Sequence, residues 1–244
     1  MSIKARLRAG ERLLGVLLRM PSEDLLEMAA VSGFDFLVID CEHGPADLTD
    51  LRCHLALADA HRTPVLVRVG SDEPALVLRA LDQGAEGVIA PHVDDADAAA
   101  ALVASAHYPP LGRRGFATYG RAGAFGAVDV EAHRRHSVET TLVLGMIESP
   151  TGVRNAAGIV GTPGLDGIMV GTADLRISTS ENDPDPAESL AEVHRVLAAH
   201  QSIRMDIVSD RAQAEAAFAG GAALVTYNLT HTLMQHLAAL RGAL

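Results

Sequence analysis

The sequence predicts a closed barrel of eight parallel strands alternating with helices. Three observations carry that expectation. Eight short apolar runs rich in Val, Ile and Leu recur along the chain. Amphipathic stretches of helical length separate them, and 244 residues is a usual size for such a barrel. Strands that are apolar throughout are buried on both faces, as in a parallel sheet covered by helices. An open doubly wound sheet shows the same alternation; strand count and length favour closure.

The strand candidates are 13–18, 34–39, 65–69, 87–90, 142–147, 167–170, 203–208 and 222–227. Helical stretches include 22–31, 73–83, 95–106, 188–200 and 211–220. Ser22 and Ser209-Asp210 stand where N-caps belong. Gly33, Gly84 and Gly220 follow helical segments and read as C-caps. No linker or repeat interrupts the pattern, so 1–244 reads as a single domain. Residues 230–244 form an apolar, Leu-rich helix candidate, suited to packing on another subunit or to closing its own barrel.

Two segments break the rhythm. The first is Tyr108-Pro109-Pro110-Leu111-Gly112-Arg113-Arg114-Gly115, continuing through the Gly-rich 116–126. The second is 178–186, polar, with two prolines. Long loops in compact folds are commonly functional. Both are expected at the C-terminal face of the barrel, where barrel enzymes keep their chemistry.

Composition narrows the function. Hydrophobic residues make up 48% and aromatics only 3%, so the core is aliphatic. A net charge of −11 argues against nucleic acid or an acidic membrane surface as partner. Cys41 and Cys53 offer no disulfide framework and fit a reducing compartment. No apolar stretch reaches the roughly 20 residues needed to span a bilayer. The first residues lack a signal-peptide core. A cytoplasmic location is expected.

The strand ends carry the chemistry. Asp40-Cys41-Glu42-His43 follows the second run, Arg68 ends the third, and His92 follows the fourth. Glu148 follows the fifth, and Asp174 comes just past Gly171-Thr172-Ala173. Buried carboxylates are costly unless paired or on a metal. Glu148 and Asp174 suit a hard divalent cation; equally, Glu148 caps a helix and Asp174 is a turn acid. Arg68 is either an ion-pair partner of Asp40 or a cation for a developing oxyanion. His43 is a turn residue or a proton acceptor, and His92 is a weaker candidate. Cys41 reads as a packed small hydrophobe. Lys4 is the only lysine and lies in the N-terminal tail, which excludes Schiff-base aldolase and lysine-anchored pyridoxal chemistry.

These blocks, in this order, resemble the HpcH/HpaI aldolase family. Phe34 to Pro45 resembles its Asp-x-Glu-His block, and Pro64-Val65-Leu66-Val67-Arg68-Val69 its arginine strand. Leu81 to Pro91, the Tyr108-Pro109-Pro110 segment, Ile147-Glu148 and Gly171-Thr172-Ala173-Asp174-Leu175 complete the series. The resemblance runs from about Gly15 to the C-terminus. It implies a (β/α)8 (TIM) barrel and a class II aldolase that uses Mg²⁺, Mn²⁺ or Co²⁺. Such an enzyme, a carbon–carbon lyase, cleaves or forms 4-hydroxy-2-oxo acids from pyruvate, or a related 2-oxo acid, and an aldehyde. Carried over, Glu148 and Asp174 hold the metal, which compensates an enolate of pyruvate type. Arg68 stabilises the enolate oxygen, His43 accepts the proton, and Asp82 raises its basicity. The backbone at Ala173 contacts the substrate carboxylate, while Asp40 and Glu42 orient the site. The resemblance also implies a homo-oligomer, trimer or hexamer. Asp82 lies near the end of its helix, so any His43 it serves is expected to be a neighbouring subunit's.

Three substrate-site positions depart from the family pattern. Met146 stands where the family has glutamine, Thr172 replaces a proline, and Arg176 adds a cation. These departures keep two other functions open. One is a Claisen-type condensing enzyme or carbon–carbon lyase acting on oxaloacetate or a decorated acid. The other is a catalytically silent homologue that binds a small acid.

Overall fold

The computed structural model describes residues 1–45 and 47–242. Its strands are β1 (Leu13–Leu18), β2 (Phe36–Asp40), β3 (Val65–Arg68), β4 (Gly87–Ala90), β5 (Leu142–Ile147), β6 (Gly167–Val170), β7 (Ile203–Val208) and β8 (Leu224–Asn228). Each pairs in parallel with the next, and β1 also pairs with β8, closing the barrel. The expected fold is therefore observed, with shifts of one or two residues at the ends of β2, β3 and β8.

Residue parity divides the core into two layers. Leu17, Val38, Leu66, Ile89, Met146 and Met169 belong to one buried cluster filling the barrel interior. Their sequence neighbours, such as Val16, Leu37, Ile39, Val65 and Val67, pack outward against helical residues. Side chains alternate across a strand, so parity alone decides which end residues face inward. The interior is fitted closely. A Cβ at Gly15 would lie 2.5 Å from the Phe36 ring, which fills the space that glycine leaves across the β1–β2 pair. Truncating a fully buried Phe of this kind costs about 3–5 kcal/mol.

The helices start where the caps predict. The side chains of Ser22 and Asp210 accept from the backbone N–H groups of Leu25 and Gln213. Gly33 and Gly84 adopt left-handed backbone with φ of 86° and 101°. Gly220 does not; its neighbour Gly221 takes that conformation, with φ of 95°.

Two sequence expectations need correction. Lys4 is not in a loose tail. It lies in the helix Ile3–Arg8, and its Nζ donates to the Thr141 carbonyl at 3.0 Å and to Asp166 at 2.9 Å. Thr141 and Asp166 directly precede β5 and β6, so this helix plugs the N-terminal end of the barrel. The long excursion 107–129 also lies at that end, not at the C-terminal face. It leaves the helix Ala96–Ala106, which has already returned across the barrel, rather than β4 itself. Its Arg114 and Arg121 pair with Asp82 and Asp59, both at the C-terminal ends of their helices. The other loop does sit at the C-terminal mouth. There Ser178 Oγ donates to the Glu148 carbonyl at 3.1 Å, and Arg154 pairs with Asp183 at 3.1 Å.

The helix Leu229–Gly242 differs from its fellows. It carries no buried residue and exposes Met234, Leu237 and Leu240. Among the described residues, no helix is long and apolar enough to cross a membrane.

Candidate active site

The inward parity of the strands continues into charge at their C-terminal ends. Two residues beyond Leu17, Val38, Leu66 and Met146 come Arg19, Asp40, Arg68 and Glu148. The apolar interior thus ends in a charged layer at the mouth.

Asp40 is fully buried and is held by two guanidinium groups. Arg68 grips it in a bidentate ion pair, with Nε 2.8 Å from Oδ1 and the second bond, from Nη2, to Oδ2. Arg19 adds its Nε to Oδ2 at 2.9 Å. Burial works against the Asp40 charge, yet Arg68 and then Arg19 hold its carboxyl below the ordinary range. Asp40 Oδ1 also accepts from the backbone N–H groups of Glu42 and His43, which folds the segment after β2 back over the mouth. Gly44 is required in that turn, because a Cβ there would collide with the Asp40 carbonyl and lie 2.8 Å from the Arg19 carbonyl.

Opposite stands Glu148, 3% exposed. Its Oε1 accepts from the His92 backbone N–H at 2.7 Å, and His92 Nδ1 lies 3.2 Å from the same oxygen. His92 adopts a left-handed backbone, φ 53°, which is uncommon for a residue with a side chain. Burial raises the Glu148 carboxyl above its usual range. The His92 contacts oppose this, while the nearby Glu42 and Asp174 charges reinforce it. Gly171, on β6's exit, leaves room for Glu148, because a Cβ there would collide with Oε2.

Ligand atoms from Glu42, His92 and Glu148 all lie within 4.8 Å of one another. Two carboxylates and an imidazole are a donor set that accepts a divalent cation. A cation would relieve the like-charge crowding around Glu148, so these residues fit the group that the sequence implies. Glu42 also lies 3.3 Å from Arg68 Nε, linking the two halves of the mouth.

The other expected residues fall as follows. His43 is half exposed, and its Nε2 is 3.8 Å from Glu42. Thr172, Ala173 and Asp174 form the exposed first turn of the helix Thr172–Ser178, which also carries the exposed Arg176. Asp174 is within electrostatic reach of Glu148 but is not part of the compact three-residue group. Met146 is 2% exposed and pairs in register with Met169, which pairs with Met205. Three methionines thus form a continuous apolar shelf across β5, β6 and β7. Cys41 is partly buried, and its thiol is pushed up to about 11 by burial and by Asp40 and Glu73, as suits a packing residue.

Asp82 is the exception. It sits at the far end of the helix Pro74–Asp82, bonded to Arg114 at 2.6 Å. Helices run antiparallel to the strands, so Asp82 and His43 of one chain occupy opposite ends of the barrel. Within a chain, Asp82 does not orient His43. Sequence reasoning missed Arg19, although the signal was present: a charged residue directly after an apolar run, as at Asp40 and Arg68.

The fold is a (β/α)8 barrel, and its C-terminal mouth carries a cluster of carboxylates, arginines and a histidine. The profile of the HpcH/HpaI aldolase/citrate lyase family matches residues 14–236, and the chain belongs to that family. The 5-keto-4-deoxy-D-glucarate aldolase of Klebsiella pneumoniae subsp. pneumoniae is 38% identical over 173 residues, covering 70% of this chain. That match spans 66% of the relative, just under two thirds of its length. A family protein from Burkholderia cenocepacia J2315 superposes with a TM-score of 0.89 at 32% identity, covering 99% of this chain and 98% of that one. The citrate synthase SbnG superposes at 0.88 with 26% identity, covering 99% and 96%.

Proposed function

We propose that the protein is a divalent-metal-dependent aldolase that cleaves or forms 4-hydroxy-2-oxo acids, with pyruvate or a related 2-oxo acid as one product and an aldehyde as the other. The observation that carries this reading is the convergence of Glu42, His92 and Glu148 opposite the Asp40–Arg68 pair, at the mouth of a barrel of this family. Glu148 and Asp174 hold the cation, with Glu42 and His92 placed to assist. Mg²⁺, Mn²⁺ or Co²⁺ there supplies Lewis acidity toward the 2-oxo acid.

The chain's own residues do the rest. Arg68, fixed by both oxygens of Asp40, presents a rigid positive charge to the oxygen that becomes negative as the carbon–carbon bond breaks. His43, at the open side of the mouth, accepts the proton from the 4-hydroxyl group and returns one in the reverse direction. The backbone at Thr172 and Ala173 receives the substrate carboxylate, with Arg176 at the rim. Met146 gives the pocket an apolar floor. The chain works in the cytoplasm as a homo-oligomer, trimer or hexamer; the unburied helix Leu229–Gly242 supports a subunit contact.

Exchange of pyruvate methyl protons into D₂O, followed by NMR, tests this. Exchange is expected, abolished by EDTA and slowed at least about 100-fold in Arg68→Ala. Absence of exchange with every 2-oxo acid tried would overturn the reading. The likeness to a citrate synthase favours a second use of the same pocket, condensation with an oxaloacetate-type acid. That reading expects exchange only with a donor other than pyruvate.

A further inference from the structure

The strand positions that face the helices are apolar around the barrel, as at Leu37 and Ile39 or Val65 and Val67, with one exception. β7 places Arg204 and Asp206 there, on the parity opposite to the inward Met205. Arg204 grips Asp206 with Nε to Oδ1 at 2.9 Å and Nη2 to Oδ2 at 2.5 Å, and gives Nη1 to the Gly220 carbonyl at 2.8 Å. The two side chains are only 15% and 18% exposed. Replacing such a pair by apolar residues is often neutral or stabilising, so stability alone does not account for it.

Two helices flank this strand without closing over it. Arg211–Ala219 presents Ala216 and Ala217, whose small side chains leave a cleft of about 320 Å³ against Pro186–His200. Leu190 supplies apolar wall from the second helix, and the Arg204–Asp206 pair lies at the base. His194 enters the same cleft. Its Nε2 is buried without a hydrogen-bond partner, and Asp206 Oδ1 stays 3.9 Å away. An unmet buried polar atom is costly; beside an open cleft it marks where a guest's polar group belongs. Gln213 also lines the cleft, with its Oε1 held by the Ser209 N–H at 3.0 Å, so its –NH₂ group remains for a guest.

Charge decides the chemistry of that guest. The charged groups facing His194 are Arg204 and Asp206, which cancel. Thr172 and Gln213, from the adjoining helices, are uncharged. The remaining charges on the packed helices pair with each other: Glu192 with Arg195, Arg211 with Glu215, and Arg154 with Asp183. Burial and then Arg204, against Asp206, hold the imidazole pKa below its ordinary value, so the cleft is neutral. A carboxylate that arrives with a proton for His194 keeps this balance, since each cation then faces one anion. The apolar walls suit an aliphatic chain.

We propose that this cleft is a second binding site, outside the barrel, for an aliphatic monocarboxylate that sets its carboxylate on the His194 imidazole and its chain on Leu190, Ala216 and Ala217. Thr172 lines the cleft and also begins the exposed turn after β6, so the guest touches the mouth from behind without entering it.

The test is isothermal titration of hexanoate into the unmodified protein stripped of metal with EDTA. Binding is expected with uptake of a proton, read by comparing buffers of different ionisation enthalpy, and affinity is expected to fall by up to about tenfold per pH unit above neutrality. 1-Hexanol, equal in length and lacking the acid, is expected to bind at least about tenfold more weakly. His194→Gln removes the proton acceptor and Ala216→Leu fills the cleft; each is expected to abolish binding while circular dichroism shows the fold intact. Hexanoate that fails to bind the unmodified protein between about pH 5.5 and 8 would overturn the proposal, whatever the variants do. So would binding without proton uptake, or binding equally strong in both variants, as a carboxylate held by the mouth arginines would show.

Discussion

His92 reaches one oxygen of Glu148 twice, through its backbone N–H at 2.7 Å and through its imidazole Nδ1 at 3.2 Å. The left-handed backbone at His92 is what turns the ring back toward that oxygen. Conformations of this kind cost on the order of 1–3 kcal/mol and persist where the surroundings over-determine them.

His92→Ala is therefore expected to weaken Mn²⁺ binding by about 10- to 100-fold, the range typical of groups that orient or supplement metal ligands. Glu148→Gln is expected to remove measurable binding. Isothermal titration reads both, and unchanged affinity in His92→Ala would exclude the imidazole from the site.

The Arg19–Asp40–Arg68 cluster predicts a cost in stability as well as in activity. Removing one partner of a buried ion pair typically costs about 3–5 kcal/mol, because the remaining charge is stranded. Arg68→Ala is expected to show a loss of that order in denaturant unfolding. Arg68→Lys keeps the charge and loses the fork, so it should recover stability better than activity. Asp40 is held below its ordinary pKa, so its contribution is present above the unfolded-state pKa of 3.8 and is lost as pH falls through the lower, folded value. Asp40→Asn removes that acid dependence.

At the other end of the barrel, His107 is 1% exposed and neither ring nitrogen has a partner. Burial, then Lys4 and Arg114, lower its pKa from 6.5 to about 4 against an opposing pull from Asp166. The folded state keeps it neutral while the unfolded chain protonates. Stability is therefore full above pH 6.5 and falls as pH drops from 6.5 toward 4, by at most roughly 1.4 kcal/mol per pH unit. His107→Leu leaves no orphaned nitrogen and is expected to flatten the melting temperature across that window.

Asp82 and His43 stand at opposite ends of one chain, so any partnership between them crosses a subunit boundary. Each alanine variant alone is expected to lose about 100-fold or more in activity. Hybrid oligomers of Asp82→Ala and His43→Ala chains are then expected to regain part of it. No recovery after confirmed mixing would confine Asp82 to its ion pair with Arg114.

The barrel was legible in the sequence because strands buried on both faces leave an unbroken apolar signature, and five of the eight runs match the observed bounds. The charged strand ends were legible for the complementary reason: Asp40, Arg68 and Glu148 put charge at the ends of otherwise apolar strands. Partnerships were less visible. Whether Glu42 and His92 join Glu148 depends on a left-handed residue after β4, which composition does not announce. The placement of 107–129 depended on whether a helix intervenes between β4 and the excursion, since a helix carries the chain to the far end. Met146 was marked by its chemistry, but its place in a shelf with Met169 and Met205 emerges only from strand register.

The first helix has a consequence for labelling chemistry. Lys4 supplies the only side-chain amine in the sequence, and it is locked against Asp166 beneath the barrel floor. Amine-directed tethers, acylating probes and borohydride trapping of carbonyl ligands thus find no lysine at the mouth. Surface immobilisation through added lysines can proceed without blocking catalysis, and any reductively trapped adduct at Lys4 would report opening of the plug rather than turnover.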